Sequence, residues 1–427
     1  MTDHATSAEN ACCSDFSRSR MSRRSLLRGA AALGGSMAVT QMFGDAMMQA
    51  TFAGTSGGNT MVVISLRGGI DGLGLVVPHG DPSYYTARPT TAVPAASLIC
   101  KDSMFGLHPA MAPLAPLWQS GELAAIQATG LAVPNRSHFS AIEAVEDADP
   151  GSAIRSGWIN RMIGLGSGHG TLDAVQLGMN FPSTALTGSN PVLATQDLDG
   201  LLVPGLEDRP AQRYQSLQTA WAAAQGPLAN GAREAVTISR GPGQKLKAMP
   251  ATSATYPTVW NATPFAQPLK NAAKLIRADI GTDVIAIDAG NWDLHTGYGT
   301  ISWGTMQSNI SGFAQSLAAF MDDLGALRSR VTVVTISEFG RRIAENGSRG
   351  FDHGWGNMML VAGAGVKGGA YHGRWPGLGS GSLVDSDLQV TTDYRNVLGE
   401  IVAKRFPDRS VPALFPGLAI EPVGVMA

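Results

Sequence analysis

Two hydrophobic periods divide this chain. Short apolar runs, most of them rich in β-branched residues, occur at TMVVISL (60–66), ELAAIQATG (122–130), LDAVQLG (172–178), DVIAIDAG (283–290), VTVVTI (331–336) and MMLVAGAGV (358–366). Runs of this length bounded by glycine and polar residues predict buried strands. Between them, apolar positions recur at helical spacing. Helices are predicted over AMAPLAPLWQSG, HFSAIEAVEDAD, GWINRMIGLG, PFAQPLKNAAKLIRADI, the long SWGTMQSNISGFAQSLAAFMDDLGALRSR and TDYRNVLGEIVAKRF. Thr392 or Asp393 would cap the last of these. Strands alternating with helices imply an α/β fold with a mostly parallel sheet covered on both faces.

Residues 204–265 break the alternation. DRPAQRYQSLQTAWAAAQG and PLANGAREAVTISRG predict two polar helices, and a Pro/Thr-rich loop follows. This stretch reads as a helical insertion or cap whose charges form a solvated face.

Composition narrows the class. The 427 residues are 44% hydrophobic and 15% charged, enough for a sizeable core, and 52 glycines suit a loop-rich α/β protein. A formal net charge of −2 offers no basic field for nucleic acid. No apolar run reaches the roughly 20 residues of a membrane-spanning helix.

The first 53 residues read as an export signal. Ser22-Arg23-Arg24-Ser25-Leu26-Leu27 is a twin-arginine signature followed by a mild Gly/Ala-rich apolar stretch. Cleavage is expected after Ala46 or Ala53, which leaves 54–427 as a single mature domain in the periplasm, the cell envelope or the exterior. The twin-arginine translocon is then a transient partner. Cys12 and Cys13 leave with the signal, so Cys100 has no partner for an internal disulfide.

Candidate chemistry gathers at strand ends, where ligands sit in open α/β sheets. The 331–336 strand runs into Ser337-Glu338-Phe339-Gly340, and a polar loop then brings Asp352-His353-Gly354 just before the next strand. The first strand ends in Arg67-Gly68-Gly69-Ile70-Asp71. The strand over 283–290 leads to Asp293 and His295, two residues apart and so on one face of an extended loop. Carboxylates and imidazoles of this kind are the ligand types of a hydrolytic metal site. The 122–130 strand leads to Pro134-Asn135-Arg136-Ser137. Ser137 opens a helix, where it is either an N-cap or a nucleophile or phosphate binder, with Arg136 beside it to neutralise an anion. Arg341 and Arg342 follow Glu338; they read first as a surface pair capping a helix, and second as groups that neutralise charge on a bound anion. His4 leaves with the signal; His79, His169, His108 and His372 read as loop or packing residues.

The motifs RGGIDGL, GLHPAM, PNRSHF, NWDLHTG, TISEFGRRIAENGSRGFDHG, GRWPGL and TTDYRNVL occur in this order. Together they resemble the bacterial family called domain of unknown function 1501, over nearly the whole mature chain. That family resembles the alkaline-phosphatase-like superfamily of phosphatases, sulfatases and cofactor-independent phosphoglycerate mutases. The resemblance implies a three-layer α/β/α sandwich, usually with two metal ions at the strand ends. It implies a metal-dependent hydrolase of phosphate or sulfate esters acting on a small anionic ester. The metal ligands would be Asp71, Asp293, His295, Glu338, Asp352 and His353, with Ser137 and Arg136 catalytic. The ion could be Zn, Mn, Mg or Ca. The departures from the superfamily pattern are that Phe339 stands where a ligating histidine is common, and that Asp293 and His295 are closer in sequence than usual. The alternative is an exported binding or assembly protein with a degenerate site and an exported protein partner. A third reading is a single structural Ca²⁺ or Mg²⁺.

Overall fold

The computed structural model describes residues 58–150, 152, 155–166, 170–203 and 209–427. The twin-arginine signature, its cleavage sites and His169 lie outside the described residues.

A nine-stranded sheet organises the chain. Its strands are β1 (Thr60–Leu66), β2 (Leu123–Gly130), β3 (Ala174–Leu177), β4 (Leu193–Thr195), β5 (Val284–Ala289), β6 (Val331–Ile336), β7 (Asn357–Gly363), β8 (Tyr371–His372) and β9 (Thr392–Asp393). The spatial order is β8-β2-β7-β6-β1-β5-β3-β4, with β9 also paired to β2. All pairs are parallel except those of β7, which runs antiparallel to both β2 and β6. All six predicted strands are present. The short strands β4, β8 and β9 add to them; two or three residues are too few to leave a period in the sequence.

Alternation along each strand sorts side chains into two cores. Val62, Ile64, Leu66, Ile285, Ile287, Val331 and Val333 face one side. Met61, Val63, Val284, Ala286, Val334 and Ile336 face the other. The first core is closed by α7 (Thr263–Ala278) and α8 (Thr305–Leu324), with the turns of 109–119 packed on α8. The second is closed by α2 (His138–Asp147), α3 (Trp158–Gly164) and α9 (Tyr394–Arg405). This is the expected three-layer α/β/α sandwich. Two predicted helices shorten. In the 110–121 helix Pro113 interrupts, leaving a 3-10 turn over Pro109–Leu114 and only α1 (Ala115–Gln119) as α-helix. The long helix ends at Leu324, with a 3-10 turn over Gly325–Arg330. At the last helix, Asp393 and not Thr392 supplies the cap, accepting from the N–H of Arg395.

Residues 209–248 form three helices, α4 (Pro210–Ala222), α5 (Pro227–Arg240) and α6 (Pro242–Ala248). The third exceeds the two predicted. They share a small core of Val203, Tyr214, Leu217, Ala232, Ala235 and Val236, and Ile238 and Leu246 join them to the main core.

His108 is buried at the start of the 109–114 turn, where its Nδ1 accepts the N–H of Ala110 at 3.0 Å. Burial lowers its pKa to about 4. The unfolded chain therefore binds a proton between about pH 6.5 and 4 that the folded chain refuses, and stability falls as the pH drops through that window. At pH 5 the loss from this residue is about 2 kcal/mol. Asn at this position keeps the acceptor, so His108→Asn is expected to lose less stability between pH 7 and pH 5 than wild type, read from urea midpoints. Equal losses would show that His108 titrates normally.

Candidate metal centre

The antiparallel strand builds the site. The chain leaves the carboxyl end of β6, loops through 337–356 and re-enters the sheet as β7 beside it. Both ends of the loop therefore stand on the carboxyl edge of the parallel strands, with Glu338 at one end and His353 at the other. Within the loop, the N–H of Gly340 donates to Trp355 O, that of Gly354 to Gly340 O and that of Arg342 to Asp352 O. The loop after β5 packs on top: the N–H of Phe351 donates to Leu294 O, and a Cβ at Gly350 would lie 2.2 Å from His295 O. Gly350 is required for that approach.

Three imidazoles and one carboxylate converge there. His138 Nε2, Asp293 and His353 Nε2 each place a ligand atom within 4.8 Å of the others. His295 Nε2 adjoins them, 3.0 Å from His353 Nε2 and 3.0 Å from Asp293 Oδ1. His353 Nε2 is 3.4 Å from Asp293 Oδ1, and His138 Nε2 is 3.6 Å from Oδ2. A tetrahedral ion with arms of 2.0–2.1 Å separates its ligands by roughly 3.3 Å, close to the spacings of His138 and His353 from Asp293; His295 Nε2 stands beside this trio, with Arg341 Nη1 3.4 Å away.

The outward nitrogens are all held. His138 Nδ1 meets Glu338 Oε1 at 2.8 Å, His295 Nδ1 meets Asp352 Oδ1 at 3.0 Å, and His353 Nδ1 meets Arg136 O at 2.8 Å. Each partner is an acceptor. Each Nδ1 therefore carries a proton, and in the neutral imidazole it is Nε2 that turns its lone pair inward. Metal-binding histidines are oriented in this way. His138 Nε2 is buried and without a hydrogen-bond partner among the described residues. The donor set fits an ion that accepts imidazole.

Charge points the same way. Asp293, Glu338 and Asp352 give three negative charges against one positive from Arg341, whose Nη2 donates to Asp293 Oδ1 at 2.5 Å. With neutral imidazoles, the two surplus negative charges match a divalent cation. Burial would raise Asp293, but the surrounding His138, His295, His353 and Arg341 hold it far below the carboxylate range. Burial likewise opposes ionisation of Glu338, and His138 with the Gly68 N–H outweighs it. In the absence of an ion, His138 rises to about 9, because Asp293 and Glu338 outweigh its burial.

The predicted ligands divide into groups. Asp293, His295 and His353 meet as expected. The Glu338 and Asp352 carboxylates stand one layer out, orienting His138 and His295. Asp71 is elsewhere: its two oxygens receive Arg88 Nη1 and Nη2 at 2.6 and 2.9 Å, and Tyr298 Oη donates to Oδ2 at 2.6 Å. Arg88 is fully buried, 4.0 Å over the Phe351 ring. Asp71 follows the end of β1 as expected, but an arginine 17 residues further along takes both of its oxygens. Ser137 occupies the N-cap position of α2, but its hydroxyl does not cap the helix. The Arg136 guanidinium is paired with Asp387 and Asp385. Only its carbonyl serves the site.

Two residues of the site were missed. His138 directly follows Ser137, and the strand-end placement that singled out Ser137 applies equally to it. Arg341 is 2% exposed and no helix surrounds it, contrary to the surface-cap reading. It donates to Gly68 O and Gly69 O after β1, to Trp292 O after β5 and to Phe351 O of its own loop, and so pins three loops together. Arg342 is half-buried beside Asp387.

A family model described as "Protein of unknown function (DUF1501)" matches residues 59–395. The chain belongs to the DUF1501 family. All seven motifs of the sequence reading fall within or reach into that span. Among curated proteins, none matches this DUF1501 chain. Solved structures similar to it include a zinc complex of the C-terminal periplasmic domain of EcEptC from Escherichia coli, at 9% identity, covering 74% of this chain and 76% of that one, TM-score 0.32. An alkaline phosphatase superfamily protein from Vibrio parahaemolyticus matches at 11% identity, 78% and 67% coverage and TM-score 0.33. The PsFucS1 sulfatase from Pseudoalteromonas matches at 10% identity, 86% and 73% coverage and TM-score 0.34. At these scores the likeness carries none of the argument about the site.

Arg88→Met leaves the Asp71 charge buried and unpaired, which is expected to cost about 3–5 kcal/mol of stability while bound metal per chain stays at the wild-type level. Denaturant midpoints and elemental analysis read the two effects separately. Loss of metal in Asp71→Asn would instead make Asp71 a ligand.

Proposed function

We propose that this chain is a metal-dependent hydrolase of phosphate or sulfate esters, exported by the twin-arginine route. The observation that carries the reading is the cluster of His138, Asp293 and His353, with His295 adjoining it, each imidazole fixed by an acceptor on its Nδ1. Three imidazoles and one carboxylate suit zinc or manganese; magnesium and calcium prefer oxygen ligands. With both Asp71 oxygens engaged by Arg88, the residues at hand hold one ion, not a pair.

A divalent ion at this place would polarise a phosphoryl or sulfuryl oxygen. The chain's own residues do the rest. Ser137 brings a hydroxyl to the start of a ten-residue helix, beside His138, and is the proposed nucleophile. The amino end of α2 favours an anion there. Arg341 keeps Asp293 ionised and aimed. Arg67, paired with Glu146 of α2 and at 2.7 Å with Asp288 of β5, ties the far end of that helix to the sheet and so fixes where Ser137 and His138 stand.

One observation favours a second reading, an exported binding protein with a degenerate site. Arg136 is committed to Asp387, and Arg341 is buried, so neither meets a substrate freely.

Purified protein is expected to hold one zinc or manganese per chain and to hydrolyse an aryl phosphate or aryl sulfate. Asp293→Asn should lose both metal and turnover. Glu338→Gln should bind metal about 10–100-fold more weakly. Ser137→Ala should keep the metal and lose turnover. Metal without turnover on any ester would leave the binding protein. No metal in wild type after reconstitution would refute the centre itself.

A further inference from the structure

Large apolar side chains exposed to solvent are concentrated on one edge of this protein. Eight are described, and six lie on connections at the carboxyl ends of the parallel strands: Val133, Phe139, Phe181, Val259, Trp260 and Trp303. Val133 and Phe139 follow β2, Phe181 follows β3, and Trp303 ends the loop that begins after β5. Val259 and Trp260 join them, because the neighbouring Asn261 donates to Ser308 O in the first turn of α8. Phe139 is 71% exposed, Trp260 71% and Trp303 63%. Phe139 is the residue next to His138, and Trp303 shares its loop with Asp293 and His295. Isolated exposed apolar residues are ordinary, but six of eight on the edge that carries one polar centre are not.

What covers such a rim must leave the centre open to substrate. A permanent protein partner would close it. The occupant is therefore the substrate, or the phase that carries it. Val133 and Val259 have no flat face for stacking on a sugar ring, whereas mixed aromatic and aliphatic side chains suit the interfacial region of a bilayer. The loop that packs on His295 adds Arg349, an exposed cation with no ion pair among the described residues, as an anionic headgroup would require.

We infer that this edge docks on a lipid surface and that the ester presented to the metal centre belongs to an anionic lipid headgroup. The substrate assignment rests on the hydrolase reading; the docking does not. The full chain is tested by co-sedimentation with vesicles of phosphatidylcholine and phosphatidylglycerol, and of phosphatidylcholine alone. Wild type should bind both, and the anionic vesicles more tightly. Phe139→Ser and Trp303→Ser should each weaken binding about tenfold, and together about a hundredfold. The double variant should keep the wild-type kcat/KM on a soluble aryl ester. Asp293→Asn should bind vesicles as wild type does, so a failed hydrolase reading leaves the docking result intact. Three outcomes would overturn the inference: wild type that stays in the supernatant, serine variants that bind like wild type, or retention on a sulfated polysaccharide in place of vesicles.

Discussion

The contact between Glu338 and His138 is the one on which the centre depends. Glu338 is 4% exposed, and a carboxylate that buried must be compensated. It accepts from His138 Nδ1 on one side and from the Gly68 N–H on the other. A single side chain thereby joins the loop after β1, the helix after β2 and the loop after β6. Gly68 has φ +110, and a Cβ there would lie 2.6 Å from Asp293 N. Only glycine allows the β1 loop to reach Glu338 and the β5 loop together. Four connections are locked by polar contacts at their tips, over a sheet whose two cores supply the stability.

How much of this was legible in the sequence follows from physical range. The strands of 60–66, 283–290 and 331–336 were legible because burial on both faces leaves an unbroken apolar run. The convergence of Asp293, His295 and His353 was legible because strand ends are where a sheet exposes its loops. The division of labour between inner and outer residues was not. Glu338 and Asp352 look like ligands in a string of letters. Only their distances to imidazole Nδ1 show that each holds a histidine. Asp71 and Arg88 illustrate the same limit, since a buried ion pair leaves no period. His138 was hidden by its neighbour: a serine at a helix start drew the chemical argument, and the residue that follows it carried the lone pair.

Arginine does two jobs around this centre that the sequence does not separate. Arg341 touches the Asp293 carboxylate and donates to Gly68 O, Gly69 O and Phe351 O, so it is an organiser of backbone as much as a counter-charge. Arg88 saturates Asp71 with both arms of its fork, a geometry that lysine cannot reproduce. These fixed cations confine the unbalanced negative charge to Asp293 and its neighbours.

The small strands β8 and β9 have a bearing on solubility. They lie end to end along β2, against Ala125–Ile126 and Thr129–Gly130, and together they tile an edge that would otherwise offer its amides and carbonyls to a foreign strand. The opposite margin ends in β4, only three residues long. Among the described residues the sheet is left with no extended border on which another copy could zip.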